Sequence, residues 1–222
     1  AGQLGTPPYD ERTRQGVLRT IVIRAAFQTE DVQLTLVIAR DRLPDRAAWV
    51  DAVRRDLPEV TGFAVNINPS SSPLVFGERT IHLWGKERMD EKLGHLKFSL
   101  SPRAFFQLNP AQTDRLYDAV REAAALSGTE RVVDAYCGTG TISLWLAPHA
   151  KEVRGVEIVR EAVEDARRNA ALSGIANAGF YAGAAEDKLL EWVRQCYRPD
   201  VVVADPPRTG CGDRLLRAIR EA

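Results

Sequence analysis

Cysteine is scarce in this chain: Cys137, Cys196 and Cys211 are the only three in 222 residues. They are odd in number and show no Cys-x-x-Cys spacing, so neither a disulfide framework nor a cysteine-based zinc site follows. Histidine is equally sparse. His82, His95 and His149 are scattered without ligand spacing, and no metal site is expected. A surplus of one charge is missing too, since thirty Lys and Arg face thirty Asp and Glu. That balance removes any global nucleic-acid signature, although a local basic face is compatible with it. No apolar run approaches the roughly 18 residues of a membrane helix, and no signal peptide opens the chain. A reduced cytoplasmic protein with no membrane partner, monomeric, is expected. The chain starts Ala1-Gly2-Gln3 without an initiator Met and reads as a fragment of something longer. Internal repeats and low-complexity tracts are absent.

What is present is a core-forming sequence, 45% hydrophobic, long enough for one large or two smaller domains. The first residues, 1–14, are polar with Pro7 and Pro8 and read as a loop or tail. Val17 to Phe27 and Asp31 to Arg40 are strand-like, joined by a turn at Thr29-Glu30-Asp31. Asp45 is an N-cap for a helix with Trp49, Val53 and Leu57 on one face, and Pro58 stops it. Gly62 to Asn68 is a strand, and Asn66 to Pro73 a loop. Leu74 to Phe76 and Arg79 to Trp84 read as a hairpin about Gly77-Glu78. This ββαβ pattern predicts a small α+β layer over residues 1–95, of split-βαβ type.

Residues 96–222 change character. Leu96 to Leu100 is a strand that leads into Ser101 to Pro110, an irregular stretch with two aromatics, a Gln and an Asn. Such a stretch suits either a ligand-lining loop or a packing loop. Asn109 then caps a helix that starts at Pro110, carries Leu116, Val120, Ala123 and Ala124 as an apolar stripe, and ends at Ser127-Gly128. From Val132 onward strands and helices alternate. Strands at Val132–Asp134, Glu152–Glu157, Gly179–Ala182 and Asp200–Ala204 are separated by helices at Thr141–Ala147, Arg160–Leu172 and Glu186–Tyr197. The three valines at 201–203 read as a strand buried on both faces. Alternation of this kind predicts a parallel, doubly wound sheet.

The chemistry gathers around residues 131–140, Arg-Val-Val-Asp-Ala-Tyr-Cys-Gly-Thr-Gly. A strand turns into a helix through Gly138 and Gly140, where a missing Cβ permits close approach of a ligand. Glu157 ends the next strand about 20 residues on, where an acid can bind both hydroxyls of a ribose. The third glycine of the dinucleotide fingerprint is replaced by Ser143. A pyrophosphate cradle, and with it an NAD-dependent dehydrogenase, is therefore disfavoured against a nucleoside without phosphates, such as S-adenosylmethionine. The competing reading is a glycine turn with no ligand. Asp205-Pro206-Pro207-Arg208 follows the last strand at its carboxyl end, where ligands of such sheets bind. The prolines stiffen the turn and hold Asp205 where it can accept from a planar N–H group.

Four motifs in this order resemble the RNA uracil-5 methyltransferases: Phe105-Phe106-Gln107-Leu108-Asn109, Asp134 to Thr141, Gly155-Val156-Glu157, and Asp205 to Cys211. The nearest likeness is to the bacterial 23S ribosomal RNA type of Gram-positive bacteria, from about Val17 to the end. The resemblance implies a Rossmann-like methyltransferase sheet, partial here, preceded by a small α+β central domain that contacts RNA. It implies S-adenosylmethionine as cofactor and RNA, ribosomal above all, as partner. By position it implies Gln107, Tyr136, Gly138, Gly140, Thr141, Glu157 and Asp205 as cofactor-binding, with Gln107 and Asp205 also meeting the target uracil. Thr141 stands where relatives often have Asn.

In that family a Cys thiolate adds to C6 of uracil and makes C5 nucleophilic, and a carboxylate later removes the C5 proton. The base is unstacked to reach the pocket. The family nucleophile lies in a Ser-Cys-Asn-Pro segment beyond the Asp-Pro-Pro-Arg motif, with the base near the C-terminus. No catalytic residue is therefore expected within this chain, and the chain alone is expected to be inactive. The N-terminal β-barrel and iron–sulfur cysteine cluster of many relatives are likewise expected to be absent. Cys137 and Cys211 match family positions without the nucleophile role, and Cys196 reads as a helix residue. Two other classes compete: an RNA amine methyltransferase whose Asp-Pro-Pro-Arg loop holds an exocyclic NH2, and a non-catalytic RNA-binding module.

Overall fold

The computed structural model describes residues 2, 4–71, 74–107 and 109–222. Expectations that fall on Ala1, Gln3, Ser72, Pro73 and Leu108, within the N-terminal tail, the loop ending at Pro73 and the Phe105–Asn109 motif, lie outside the described residues. The chain divides into two compact units, residues 1–91 with 100–103 and residues 92–99 with 104–222.

The first unit is a four-stranded sheet in the order β1-β2-β3-β4, formed by β1 (Leu18–Ala25), β2 (Val32–Ile38), β3 (Gly62–Ile67) and β4 (Arg79–Gly85). Helix α1 (Arg46–Asp56) connects β2 to β3, and Asp45 caps it by accepting from the Ala48 N–H. Leu34, Leu36, Ile38, Phe63, Val65 and Ile67 form one face of the sheet and pack with Trp49 and Val53 of the helix. Leu57 falls at the C-cap and is partly exposed, off the expected face.

Three expectations need correction here. β2 and β3 pair directly, in parallel, so no strand splits the βαβ unit. An 11-residue helix with short connections carries the chain to the adjacent position. The segment from Leu74 to Phe76 is not a strand. Its polar backbone groups go to side chains instead: Asn68 Nδ2 donates to the carbonyls of Leu74 and Val75, and Asn66 exchanges bonds with Gly77. The N-terminal segment is more than a tail. Thr6 is buried and accepts from the Trp49 indole at 3.0 Å, and Tyr9 donates to the Leu18 carbonyl.

The strand expected at Leu96 to Leu100 follows, paired with a preceding strand that the sequence reading did not give. β5 (Met89–Leu93) and β6 (Leu96–Leu100) form a two-stranded sheet, and the chain passes from the first unit to the second within it. Met89, Glu91 and Leu93 alternate as buried positions; Glu91 is accommodated because it accepts from the N–H groups of Phe27 and Gln28.

The second unit carries α2 (Pro110–Ala124) and then β7 (Arg131–Asp134), α3 (Thr141–Leu146), β8 (Glu152–Glu157), α4 (Arg160–Leu172), β9 (Ala178–Ala182), α5 (Ala185–Arg194), β10 (Val201–Val203) and α6 (Asp213–Glu221). Its sheet runs β10-β7-β8-β9, every pairing parallel. The Rossmann-like alternation expected from the sequence is thus present. Helices α5 and α6 bury Leu189, Trp192, Leu215 and Ala218 with Val133, Ala135 and Val156 of the sheet. β10 is half-buried rather than buried on both faces, because among the described residues it pairs with β7 alone and stands at the edge of this sheet. On α2, Thr113 and Tyr117 are buried while Leu116 is 52% exposed, so the core stripe is rotated from the expected one. Cys196 lies past the end of α5 in a left-handed conformation and is exposed, not helical. Helix α6 was not foreseen; it has only two buried apolar residues, Leu215 and Ala218.

Candidate functional site

In a parallel sheet the loops after each strand share one edge. The glycine turn after β7, Glu157 at the end of β8 and Asp205 after β10 therefore meet at the carboxyl edge of the second sheet. The turn is shaped by its two glycines, which both take positive φ, 51° at Gly138 and 86° at Gly140. They do different things. A Cβ at Gly138 would meet no atom within 4 Å, so this backbone faces open space. A Cβ at Gly140 would lie 2.9 Å from the Phe180 ring and 3.1 Å from Ala166, so this glycine lets the turn pack inward. Its N–H is used within the turn, donating to the Cys137 carbonyl at 2.8 Å.

Glu157 is the acid at the tip of β8. Its Oε2 accepts from the Gly138 N–H at 3.3 Å and its Oε1 from the Val159 N–H at 2.9 Å. The carboxylate is thereby fixed against the open glycine, half-exposed, with lone pairs to spare. Ile158 and Val159 follow it, and Ile158 is 72% exposed. An exposed apolar residue next to a fixed carboxylate on a sheet edge offers a flat ring one face and a sugar the other. The sequence reading missed Ile158, though its adjacency to Glu157 was the available signal.

Asp134 ends β7 and is wholly buried. The Ser143 hydroxyl donates to its Oδ2 at 2.7 Å, so the residue standing at the third-glycine position ties α3 back to the strand. Oδ1 has no hydrogen-bond partner. Burial pushes the Asp134 carboxyl up to about 6, opposed by Ser143 and nearby backbone N–H groups, with the charge of Asp205 adding to the rise. Cys137, beside it, is buried, and burial together with the charges of Asp134 and Glu157 drives its thiol well above the ordinary value. A thiol held so is a poor nucleophile.

Thr141 is held by a residue the sequence reading passed over: the Tyr117 hydroxyl donates to Thr141 Oγ1 at 2.9 Å. Gln107 borders an open cavity at the start of α2 with Asn109, Gln112 and Thr113. Asp205, exposed, is near enough for its charge to act on both Asp134 and Tyr117. Tyr136 packs on the core shared with α5 and α6, near Cys211 and Glu186, and burial raises its phenol. Asn169 is a second omission. Fully buried on α4, it donates to the Thr139 carbonyl at 3.0 Å and accepts from the Ser99 N–H at 2.8 Å, anchoring the turn from behind. Phe105 holds its ring 68% exposed while its carbonyl accepts from Thr139 Oγ1. Among the described residues no group of three or more His, Cys, Asp or Glu is placed to hold a metal ion. No helix among them is long and apolar enough to cross a membrane.

Comparison with known proteins places this geometry. Residues 126–213 match the family model of a methyltransferase domain. The chain is 49% identical over 98% of its length to an uncharacterized RNA methyltransferase of Halalkalibacterium halodurans, and covers 47% of that protein. It is 47% identical to one of Listeria monocytogenes, again covering 47% of the relative. The chain thus spans about half the length of the relatives it matches. Among solved structures, the tRNA (uracil-54, C5)-methyltransferase of Pyrococcus abyssi in complex with S-adenosyl-L-homocysteine superposes with a TM-score of 0.73 at 30% identity. That match covers 96% of this chain and 50% of the other. A SAM-dependent methyltransferase from Agrobacterium tumefaciens shares the fold at 18% identity, TM-score 0.53, over 93% of this chain and 76% of that one. The chain carries the Rossmann-like α/β fold of S-adenosylmethionine-dependent methyltransferases, and residues 126–213 of it match the model of a methyltransferase domain.

Proposed function

We propose that this chain is the central and cofactor-binding part of an RNA uracil-5 methyltransferase that uses S-adenosylmethionine and acts on a uridine of ribosomal RNA, 23S above all, in the cytoplasm. The observation that carries the reading is the pairing of Glu157 with the open face of Gly138, 3.3 Å apart, on the edge shared with Asp205. The 30% identical neighbour methylates C5 of uracil 54 in tRNA by its name, which supports the reaction class but not the choice of RNA.

The residues present fit the cofactor. Its sulfonium and ammonium groups are cationic, and the edge is acidic: Asp134, Glu157, Glu186 and Asp205 all act on groups of this turn or bond to them. When bound, S-adenosylmethionine supplies an electrophilic methyl group. Glu157 would hold the ribose hydroxyls. Gly138 would give the nucleoside room, and Tyr136 would lie along it. Gly140 would shape the turn, and Thr141 would stand at its helical end. Gln107 and Asp205 would sit between cofactor and base, where Asp205 could accept from a ring N–H. Uracil C5 becomes nucleophilic only after a thiolate adds to C6, and a carboxylate then takes the C5 proton. The cysteines of this chain do not suit that step. Cys137 is buried with a raised thiol, Cys196 follows the C-terminal end of α5, away from the carboxyl edge, and Cys211 packs, as Tyr136 does, against the core shared with α5 and α6. The nucleophile and the base are accordingly assigned to residues outside these 222, and the isolated chain is expected not to turn over.

Nucleoside analysis of RNA from cells with and without the gene tests the reading. Loss of a 5-methyluridine from ribosomal RNA is expected. Loss of a base methylated on an exocyclic nitrogen would replace the proposal with the amine-methyltransferase reading, and an unchanged RNA would remove both.

A further inference from the structure

We propose that the cavity at the start of α2 is a subsite for one nucleotide of the RNA strand next to the target uridine, with Arg115 on its phosphate and the carboxamides of Gln107, Asn109 and Gln112 on its base. The inference rests on the reading above that the chain acts on RNA, and names a second place where the strand is held. The cavity measures about 420 Å³ and is lined by Gln107, Asn109, Gln112, Thr113, Arg115 and Leu116. A volume of this order holds a small organic group. Its polar side chains keep hydrogen-bonding capacity to spare. Asn109 Oδ1 accepts from the Gln112 N–H, which leaves both protons of the Asn109 amide to donate. Gln112 is exposed, and its side chain has no partner among the described residues. Arg115 is also exposed, makes no ion pair among the described residues, and is the one charged residue in the lining. A lone cation with no acid in the lining calls for an anion. Gln112, Arg115 and Leu116 share one face of α2 by their spacing, and Leu116 is 52% exposed there. A carboxamide reads a base edge because it presents a donor and an acceptor side by side. A guanidinium fork matches a phosphate, and an apolar side chain packs on the flat face of a base. The floor is fixed: Thr113 is buried, and its hydroxyl donates to the Asn109 carbonyl at 2.8 Å. One helical turn further along the same buried face, Tyr117 bonds Thr141 at the start of α3, so the cavity lies beside the helix that follows the glycine turn.

Anisotropy of a fluorescent, uridine-containing single-stranded oligoribonucleotide, followed over a salt series with the whole 222-residue chain, tests this. Arg115→Gln is expected to weaken binding about fivefold at low salt and to lower the salt slope by about 0.7, the value of one phosphate contact on a single strand. Gln112→Ala is expected to weaken binding about threefold with the slope unchanged, since it touches a base and no phosphate. Arg168→Gln is the control: an exposed arginine of α4 outside the lining, whose loss should change neither affinity nor slope. All three side chains are exposed, which protects the fold. Calorimetric titration of S-adenosylhomocysteine into the same variants should give wild-type affinity. Unchanged affinity and slope in Arg115→Gln, or a wild-type chain that binds no oligonucleotide, would overturn the proposal. So would weaker S-adenosylhomocysteine binding by Arg115→Gln, which would hand the cavity to the carboxylate of the cofactor. Failure of the wild type to bind S-adenosylhomocysteine would count against the cofactor reading and leave the oligonucleotide result to decide the subsite. A 5-methyluridine lost from cells without the gene, alongside oligonucleotide binding that ignores Arg115, would leave the function standing and remove only the subsite.

Discussion

Asp134 shows how much one side chain can set. Its carboxyl titrates near 6 in the folded chain instead of the ordinary 3.8, chiefly because it is buried. Below about pH 3.8 it is protonated folded or unfolded and has no effect on stability. As pH rises toward 6 the unfolded chain loses this proton first, so stability falls through that window and the full cost is present above it. The cost is on the order of 3 kcal/mol as an upper figure. Asp134→Asn keeps an acceptor for Ser143 and should therefore be more stable than wild type by about 1–3 kcal/mol at pH 7, with the gap closing near pH 4. Urea unfolding at both pH values measures it. The same variant should bind the cationic cofactor less well, since the buried negative charge is lost. A stabilising substitution that weakens binding would mark Asp134 as a functional acid kept at a cost in stability.

At the scale of elements, two glycines and one phenylalanine hold the turn to the sheet. Phe180 on β9 fills the space left by Gly140 and by Gly155 of β8, where an added Cβ would lie 2.6 Å from its ring and 2.9 Å from Cys137. Gly155→Ala should lose about 1–3 kcal/mol through overpacking. Gly140→Ala should lose at least as much, since left-handed backbone strain adds to the clash. Gly138→Ala meets nothing within 4 Å and should lose only the strain, about 1–2 kcal/mol. Denaturant midpoints rank the three, and a Gly138 variant as unstable as Gly155→Ala would contradict the open face.

The sequence made the alternation of this sheet readable because β7, β8 and β10 are short valine-bearing runs and α4 has a clear stop at Ser173-Gly174. It placed Glu157 and Asp205 because strand ends are local. It could not disclose Tyr117, Asn169 or Phe180, whose roles depend on partners 24 to 70 residues away. The split of the βαβ unit was misjudged for the same reason, since strand order is a property of pairing and not of pattern. Leu116 was misplaced on α2 because either of two neighbouring stripes fits helical spacing, and only packing chose Thr113 and Tyr117.

For the whole molecule, the first unit lacks a charge surplus to hold RNA by itself, in a chain whose thirty basic and thirty acidic residues cancel. Residues 1–95 are proposed to contact RNA, and residues 96–222 to bind the cofactor. Each should do so through specific faces, with a salt dependence shallower than that of a basic RNA-binding protein. Filter binding of ribosomal RNA fragments across a salt series measures that slope. The claim on which the rest depends is that Glu157 grips the sugar of an adenosine at the carboxyl edge. Calorimetric titration of S-adenosylhomocysteine into wild type, Glu157→Ala and the exposed-surface control Glu164→Ala tests it most directly. A carboxylate bonded to two hydroxyls contributes enough that its loss should weaken affinity by about tenfold or more, with the control unchanged. Equal affinity for wild type and Glu157→Ala, or no binding by wild type, would contradict the account.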